Sequence, residues 1–351
     1  MADRIVVRAP NWLGDAVLAL PAMAAVREHF SSSVLTIAAI PSVMGLFREQ
    51  TDVHPDHLLE LPNEGGAVIA ALRSGGFDRG ILLPNSFRSA WQFWRAGVRE
   101  RWGFPTASRR ALLTRRSRKS RRRQKHHHID YFRDLVRGLD IPCDDRPPRL
   151  IASPLSAERA DRLLSEQGLA PGIPLIGVAP GAAYGQAKQW PTDRIGELIA
   201  RLVAEHDAMC ALVGASHDRA AAREIESWLR AHAPEARDRT IDLVGRTSLG
   251  VLTGIAARCR VFVTNDSGAM HVAAALGRPV VAIFGPTDER ATGPIGSHAI
   301  ITSPVFCRPC LLRDCPIDHR CMKRISVDQV FAAVVSSLSP PSTPAMQGIA
   351  T

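Results

Sequence analysis

Cys259-Arg-Val-Phe-Val-Thr264 runs directly into Asn265-Asp-Ser-Gly-Ala-Met-His271, and this junction decides the fold. The first stretch is a short apolar, β-branched run. A helical pattern over 269–276 follows the small polar residues. A strand that enters a helix through a tight polar turn is the repeating unit of a parallel α/β sheet. Upstream lie a helix over 156–168, strand Pro174–Ala179, the loop Pro180–Pro191, a helix over 192–205 and strand Met209–Val213 with Gly214-Ala-Ser-His after it. Downstream, strand Pro279–Phe284 ends in Gly285-Pro-Thr-Asp, and a last helix covers 326–337.

The first half has the same rhythm. Arg4-Ile-Val-Val7 is a strand and Ala9–Gly14 a turn. A helix runs from Asp15 to Arg27 with a kink at Pro21, then come strand Val34–Ala39, helix Ala67–Arg73 and strand Arg79–Leu83. The pattern predicts two α/β domains, 1–155 and 156–337, joined by a proline-rich linker at about 141–155 and followed by a disordered Pro/Ser-rich tail, 338–351. Open parallel sheets bind ligands at the carboxyl ends of their strands, so a cleft between the halves is the expected site.

With 46% of its 351 residues apolar and 22% charged, the chain is neither disordered, collagenous nor coiled-coil. No run of about 18 residues is apolar enough to span a membrane, and the start lacks a signal-peptide pattern, so a soluble cytoplasmic protein is expected. The net charge of +10 is concentrated in residues 1–150, where 24 Lys/Arg face 15 Asp/Glu; in 151–351 the balance is 20 to 19. Anionic partners are therefore expected for the first half. Residues 109–125 carry ten Lys/Arg and no acid and read as a mobile surface loop, extended by the histidines to 128. Without interleaved aromatics, this run favours an anionic surface over single-stranded nucleic acid, and no nucleic-acid partner is expected.

Three junctions carry candidate chemistry. In Asn11-Trp-Leu-Gly-Asp15, Gly14 permits a turn or a close approach, and Asp15 is either a general base or a carboxylate offsetting a helix dipole. The loop Pro180–Pro191 offers Lys188 and backbone N–H groups to a phosphate but lacks the Walker pattern; Trp190 reads as packing. At Asp266–His271, a helix N-terminus favours a diphosphate, Ser267 can donate and Asp266 accept, and His271 is either a ligand contact or a core histidine. Cys307, Cys310, Cys315 and Cys321, with His319 nearby, could close a structural zinc site or could be reduced thiols.

Asn11–Met23, Leu83–Ser89, Pro180–Pro191 and Thr264–His271, in this order along the chain, resemble the ADP-heptose:lipopolysaccharide heptosyltransferases, glycosyltransferase family 9, and their heptosyltransferase II branch most. The resemblance implies a GT-B fold, two Rossmann-like domains facing across a cleft, with the final helix crossing back. It implies inverting transfer of L-glycero-D-manno-heptose from ADP-heptose to the first heptose of the lipopolysaccharide inner core, at the cytoplasmic leaflet of the inner membrane. By position, Asp15 matches the catalytic base. Lys188, Asp266, Ser267, Gly268 and His271 match the donor site, with Glu224 a candidate for the donor ribose and Asn11, Asn85 and Arg88 for the acceptor. No Asp-x-Asp motif is present to hold a divalent ion, so no catalytic cofactor is expected, and a lysine with a helix N-terminus can serve the leaving diphosphate.

Overall fold

The computed structural model describes residues 2–118 and 127–338. In chain order the strands are β1 (Arg4–Arg8), β2 (Val34–Ala39), β3 (Gln50–Thr51), β4 (His57–Glu60), β5 (Arg79–Leu82), β6 (Glu100–Gly103) and β7 (Arg115–Arg116). They continue as β8 (Leu150–Ile151), β9 (Leu175–Ala179), β10 (Met209–Leu212), β11 (Thr240–Asp242), β12 (Val261–Asn265), β13 (Val280–Phe284) and β14 (His298–Thr302). Two six-stranded sheets result, ordered β4-β2-β1-β5-β6-β7 and β11-β10-β9-β12-β13-β14. Every pairing within them is parallel.

The apolar runs have a direct cause. Helices cover both faces of a parallel sheet, so its central strands are apolar throughout rather than alternating. Ile5, Val6 and Val7 are fully buried, as is every residue of β12 and β13. Each sheet begins in its middle, at β1 or β9, grows to one edge, and then crosses to the other side. The order reverses between β1 and β5 and between β9 and β12, and at such points the strand ends leave a crevice. This is the two-domain Rossmann-like arrangement expected from the sequence. The helix after β1 breaks at Ala19 into Leu13–Leu18 and Leu20–His29, with Pro21 in the first turn of the second piece, where its missing N–H costs no hydrogen bond.

The segment 141–155 is pinned rather than loose. Arg133 donates to Arg146 O (2.7 Å), and β8 pairs antiparallel with β3. The buried carboxylate of Glu49 accepts from Ser153 N and Ser156 Oγ, both at 2.6 Å.

Two expectations need correction. The basic run does not begin as a mobile loop: Arg109 is wholly buried, and Arg115–Arg116 form the edge strand β7. The Arg109 guanidinium is tolerated inside because backbone carbonyls and an amide oxygen surround it. It donates to Phe104 O (2.9 Å), Pro84 O (2.5 Å) and Asn85 Oδ1 (3.3 Å). Residues 119–126 of the run lie outside the described residues. The last helix, Val327–Leu338, does not cross back over its described length. Val330, Phe331 and Val334 bury in the core of the second sheet, and Asp328 pairs with Arg201 at 2.6 Å. The tail beyond it, 339–351, lies outside the described residues.

Candidate active site

The front junction follows β1. The Arg8 guanidinium is buried, which pulls its pKa down to about 10, and it fixes Asn11 by donating to its Oδ1 (2.5 Å). That leaves the Asn11 amide nitrogen as its outward donor. Asp15 follows in the first turn of Leu13–Leu18. Its side chain keeps 35% of its exposure and lines a cavity of about 690 Å³ together with Asn11, Trp12, Asn85, Thr106, His128 and Tyr131. The carboxylate is not a helix cap, because that position is Trp12, without a side-chain cap bond. His128 Nδ1 lies 3.7 Å from Asp15 Oδ1, and this carboxylate raises the His128 pKa. Burial pushes the Tyr131 hydroxyl up to about 12, so at neutral pH it can donate a proton to a hydrogen bond.

The rear junction follows β9 and β12. Lys188 Nζ sits 2.6 Å from Asp266 Oδ2, with side-chain exposures of 12% and 6%. The loop carrying Lys188 is tied to the end of β12: Asn265 donates to Pro180 O (2.8 Å) and accepts from Trp190 N (3.1 Å). Trp190, buried as expected, donates its indole N–H to Ile325 O (3.2 Å). Ser267 precedes the Gly268–Ala275 helix without capping it, and its hydroxyl lies 3.1 Å from Thr264 Oγ1. The first backbone N–H groups of that helix thus have no side-chain cap.

The two junctions touch. A Cβ on Gly14 would fall 2.8 Å from His271 Cδ2, and one on Gly268 would fall 2.9 Å from Leu13 Cβ. Neither glycine has a positive φ. Their role is close approach of one lobe to the other, not a turn. His271 fills this seam; burial drops its pKa to about 4, so it is a neutral packing residue there, with Nδ1 unpartnered. Next to it, His127 of the first lobe bonds Gly293 O of the second at 2.8 Å.

The structure therefore gathers Asp15, Asn11 and Asn85 around one cavity and places Lys188, Asp266, Ser267, Gly268 and His271 at the facing strand ends. Arg88 is exposed on the Phe87–Arg95 helix and does not line the cavity. Glu224 is exposed on Arg219–His232, where it accepts from Thr192 Oγ1 (3.0 Å) rather than joining the Lys188–Asp266 pair. Three side chains were missed: His128, Tyr131 and Thr292, whose hydroxyl lies 3.4 Å from Asp266 Oδ2. The histidine run was visible in the sequence, but nothing local assigns it to Asp15.

Burial raises the Cys321 thiol pKa, and Cys307, Cys315 and Cys310 add to the rise, so the fold brings the four cysteines near one another. Among the described residues, no group of three or more His, Cys, Asp or Glu is placed to hold a metal ion. Cys315 is exposed and accepts from His319 N (3.3 Å), Cys321 is buried, and the His319 ring is engaged with Ala187 O (2.7 Å). The segment braces the Lys188 loop instead: Ala187 N donates to Arg313 O (2.9 Å), and Tyr184 donates to Leu311 O (3.1 Å).

Residues 66–320 match the glycosyltransferase family 9 (heptosyltransferase) family. The chain is 30% identical to lipopolysaccharide heptosyltransferase 2 of Salmonella typhimurium over 84% of its length and 86% of the relative's. It is 29% identical to lipooligosaccharide heptosyltransferase 2 of Haemophilus ducreyi, over 85% and 88% of the two chains. Among solved structures, the ADP-heptose lps heptosyltransferase II of E. coli superposes with a TM-score of 0.80 at 26% identity, covering 95% of this chain and 98% of that one.

Proposed function

The chain belongs to glycosyltransferase family 9, the heptosyltransferases, and we propose that it moves L-glycero-D-manno-heptose from ADP-heptose to the first heptose of the lipopolysaccharide inner core. It is a glycosyltransferase of the GT-B fold. The observation that carries the reading is the meeting, at one seam, of a carboxylate junction and a lysine-bearing one. A half-exposed carboxylate, Asp15, opens on the front cavity, while Lys188 and an uncapped helix N-terminus stand at the strand ends of the second lobe.

In the proposed reaction, residues 1–155 take the acceptor and 156–337 the nucleotide sugar. Asp15 removes the proton from the acceptor hydroxyl as its oxygen attacks the anomeric carbon from the front. The bond to the diphosphate breaks on the opposite face, which inverts the centre. Lys188 and the N–H groups of Gly268–Ala275 take up the charge that develops on the departing ADP, the task a divalent cation performs where two aspartates hold one. Lys188 is paired with Asp266 until then, so the donor must share the lysine rather than meet it free. Asn11 and Asn85 position acceptor hydroxyls, with Arg88 further out for its anionic groups; Ser267 contacts the donor and Glu224 its ribose. No helix is long and apolar enough to cross a membrane among the described residues. The acceptor is reached at the cytoplasmic leaflet of the inner membrane by peripheral attachment.

The test is transfer to a purified inner-core acceptor bearing one heptose, scored by product mass. A mass gain of one heptose from ADP-heptose is expected. No gain with that pair, together with a gain from another nucleotide sugar, would replace the substrate assignment.

A further inference from the structure

The Phe87–Arg95 helix presents an aromatic stripe to solvent. Phe87, Trp91 and Trp94 stand at i, i+4 and i+7, on one side of the helix, and are 48%, 37% and 48% exposed. The opposite side is anchored: Ala90 and Phe93 are buried, and Arg109 holds the chain just before the helix through Pro84 O. A stripe of this kind on a firmly packed helix is not a frayed end; it is an apolar face left exposed by the described residues.

Its surroundings select the occupant. From Arg79 to Arg99 the sequence holds four arginines and no acid, and Arg88, Arg95 and Arg99 are exposed. The Arg95 guanidinium lies 5.9 Å from the Trp91 ring centroid. Tryptophan and arginine side by side suit the boundary between acyl chains and anionic headgroups, where an indole has one apolar and one wet edge. A protein partner of ordinary polarity would not need a helix that carries arginines and no acid. The stripe also starts at the cavity mouth. Asn85 lines that cavity, two positions before Phe87, and Trp12, 57% exposed, lines it from the other junction.

We propose that the Phe87–Arg95 helix is the membrane-docking element of the first lobe, seating Phe87, Trp91 and Trp94 in the headgroup region of an anionic bilayer and so bringing the cavity mouth to a lipid-anchored acceptor. This rests on the proposed acceptor only for its purpose; the docking itself is measured without any acceptor.

The experiment is flotation of the full-length protein with phosphatidylethanolamine/phosphatidylglycerol (3:1) vesicles at about 0.15 M salt. The wild type floats with them and partitions at least tenfold less into phosphatidylcholine. W91S/W94S keeps the wild-type unfolding temperature and loses at least tenfold in partitioning, and R95E/R99E loses affinity for the anionic vesicles alone. In the same preparations, transfer to a delipidated acceptor reports the enzyme reaction by itself and stays unchanged in W91S/W94S. Flotation of W91S/W94S equal to wild type overturns the assignment, as does loss of flotation on replacing the separate exposed patch at Phe306 and Ile317. A wild type that does not float but forms a concentration-dependent dimer abolished by W91S/W94S overturns it in favour of a second copy of the chain.

Discussion

The two strand-to-helix junctions that meet at the seam share a topology and differ in electrostatics. After β1, Asp15 stands half exposed beside His128, whose charge it favours. After β12, Asp266 is almost wholly buried against Lys188, and His271 is held neutral by burial. One junction keeps its carboxylate available to a proton from outside. The other has its carboxylate committed to a lysine and has no net charge to spend before a ligand arrives. On the proposed reading, the same fold element serves as a reactive edge in one lobe and as a preset cradle in the other, and the difference lies in how much water reaches each carboxylate.

The sharpest way to break the comparison is to remove the carboxylate on each side. Asp15→Asn keeps the shape and loses the base; turnover is expected to fall about 10²- to 10⁴-fold while ADP-heptose affinity, measured by calorimetry, is unchanged. Equal turnover would show that the front junction is not the reactive one. Lys188→Ala acts through stability as well, because it strands the buried Asp266 charge. Breaking such a pair costs about 3–5 kcal/mol, so a lowered unfolding temperature together with weaker donor binding is expected. Lys188→Ala combined with Asp266→Ala should recover most of the stability and none of the transfer rate.

The two histidines separate next, by the sign of their pH dependence. The folded pKa of His271 is depressed from 6.5 to about 4, so its contribution to stability is complete above pH 6.5 and is lost as pH falls towards 4. The whole swing is roughly 3 kcal/mol. His271→Leu should flatten the unfolding temperature over that window; an unchanged slope would mean that another group carries the acid limb.

How far the sequence reached follows the same line. The junction at 259–271, the turn that follows β1 and the helix break beside Pro21 are local signals of apolar period, small residues and proline, and they were legible. The short strand β6 and the edge strand β7 beside it were not, because Glu100–Gly103 and Arg115–Arg116 carry little apolar pattern and are strands only through their neighbours. Arg109 looked like part of a solvated charge run because the carbonyls that receive it come from 84 and 104, which only the fold brings near. The Asp15–His128 approach is hidden for the same reason, and so are the bonds from the cysteine-rich segment to the Lys188 loop, which no local spacing announces.

Gly14→Ala tests whether the lobes must touch. The new Cβ would meet the His271 ring at 2.8 Å, and that ring is buried, so it cannot simply swing away. Overpacking of this kind costs about 1–3 kcal/mol. Because the clash lies in the seam, the expected signature is loss of turnover with a modest drop in unfolding temperature, and partial rescue by His271→Ala. Wild-type turnover would show that the seam opens without penalty.

The smallest effect belongs to His128. Its folded pKa is raised above 6.5 chiefly by the neighbouring Asp15 carboxylate, so the pair's stabilisation is complete below pH 6.5 and disappears as pH rises through the folded value. The protonated ring holds the carboxylate as an ion pair and makes it a poorer base; the neutral ring releases it. An exposed pair of this kind is worth about 0.2–1 kcal/mol, so the expected effect on kcat/KM is about 1.5- to 5-fold. The ring also faces Asp266, Lys188 and His127, and binding a diphosphate beside Lys188 adds negative charge that shifts the limb further up. In His128→Gln, kcat/KM at high pH should match the wild type and the acid limb should move to lower pH. A limb that stays in place would assign it to Asp15 alone and remove His128 from the front junction's chemistry.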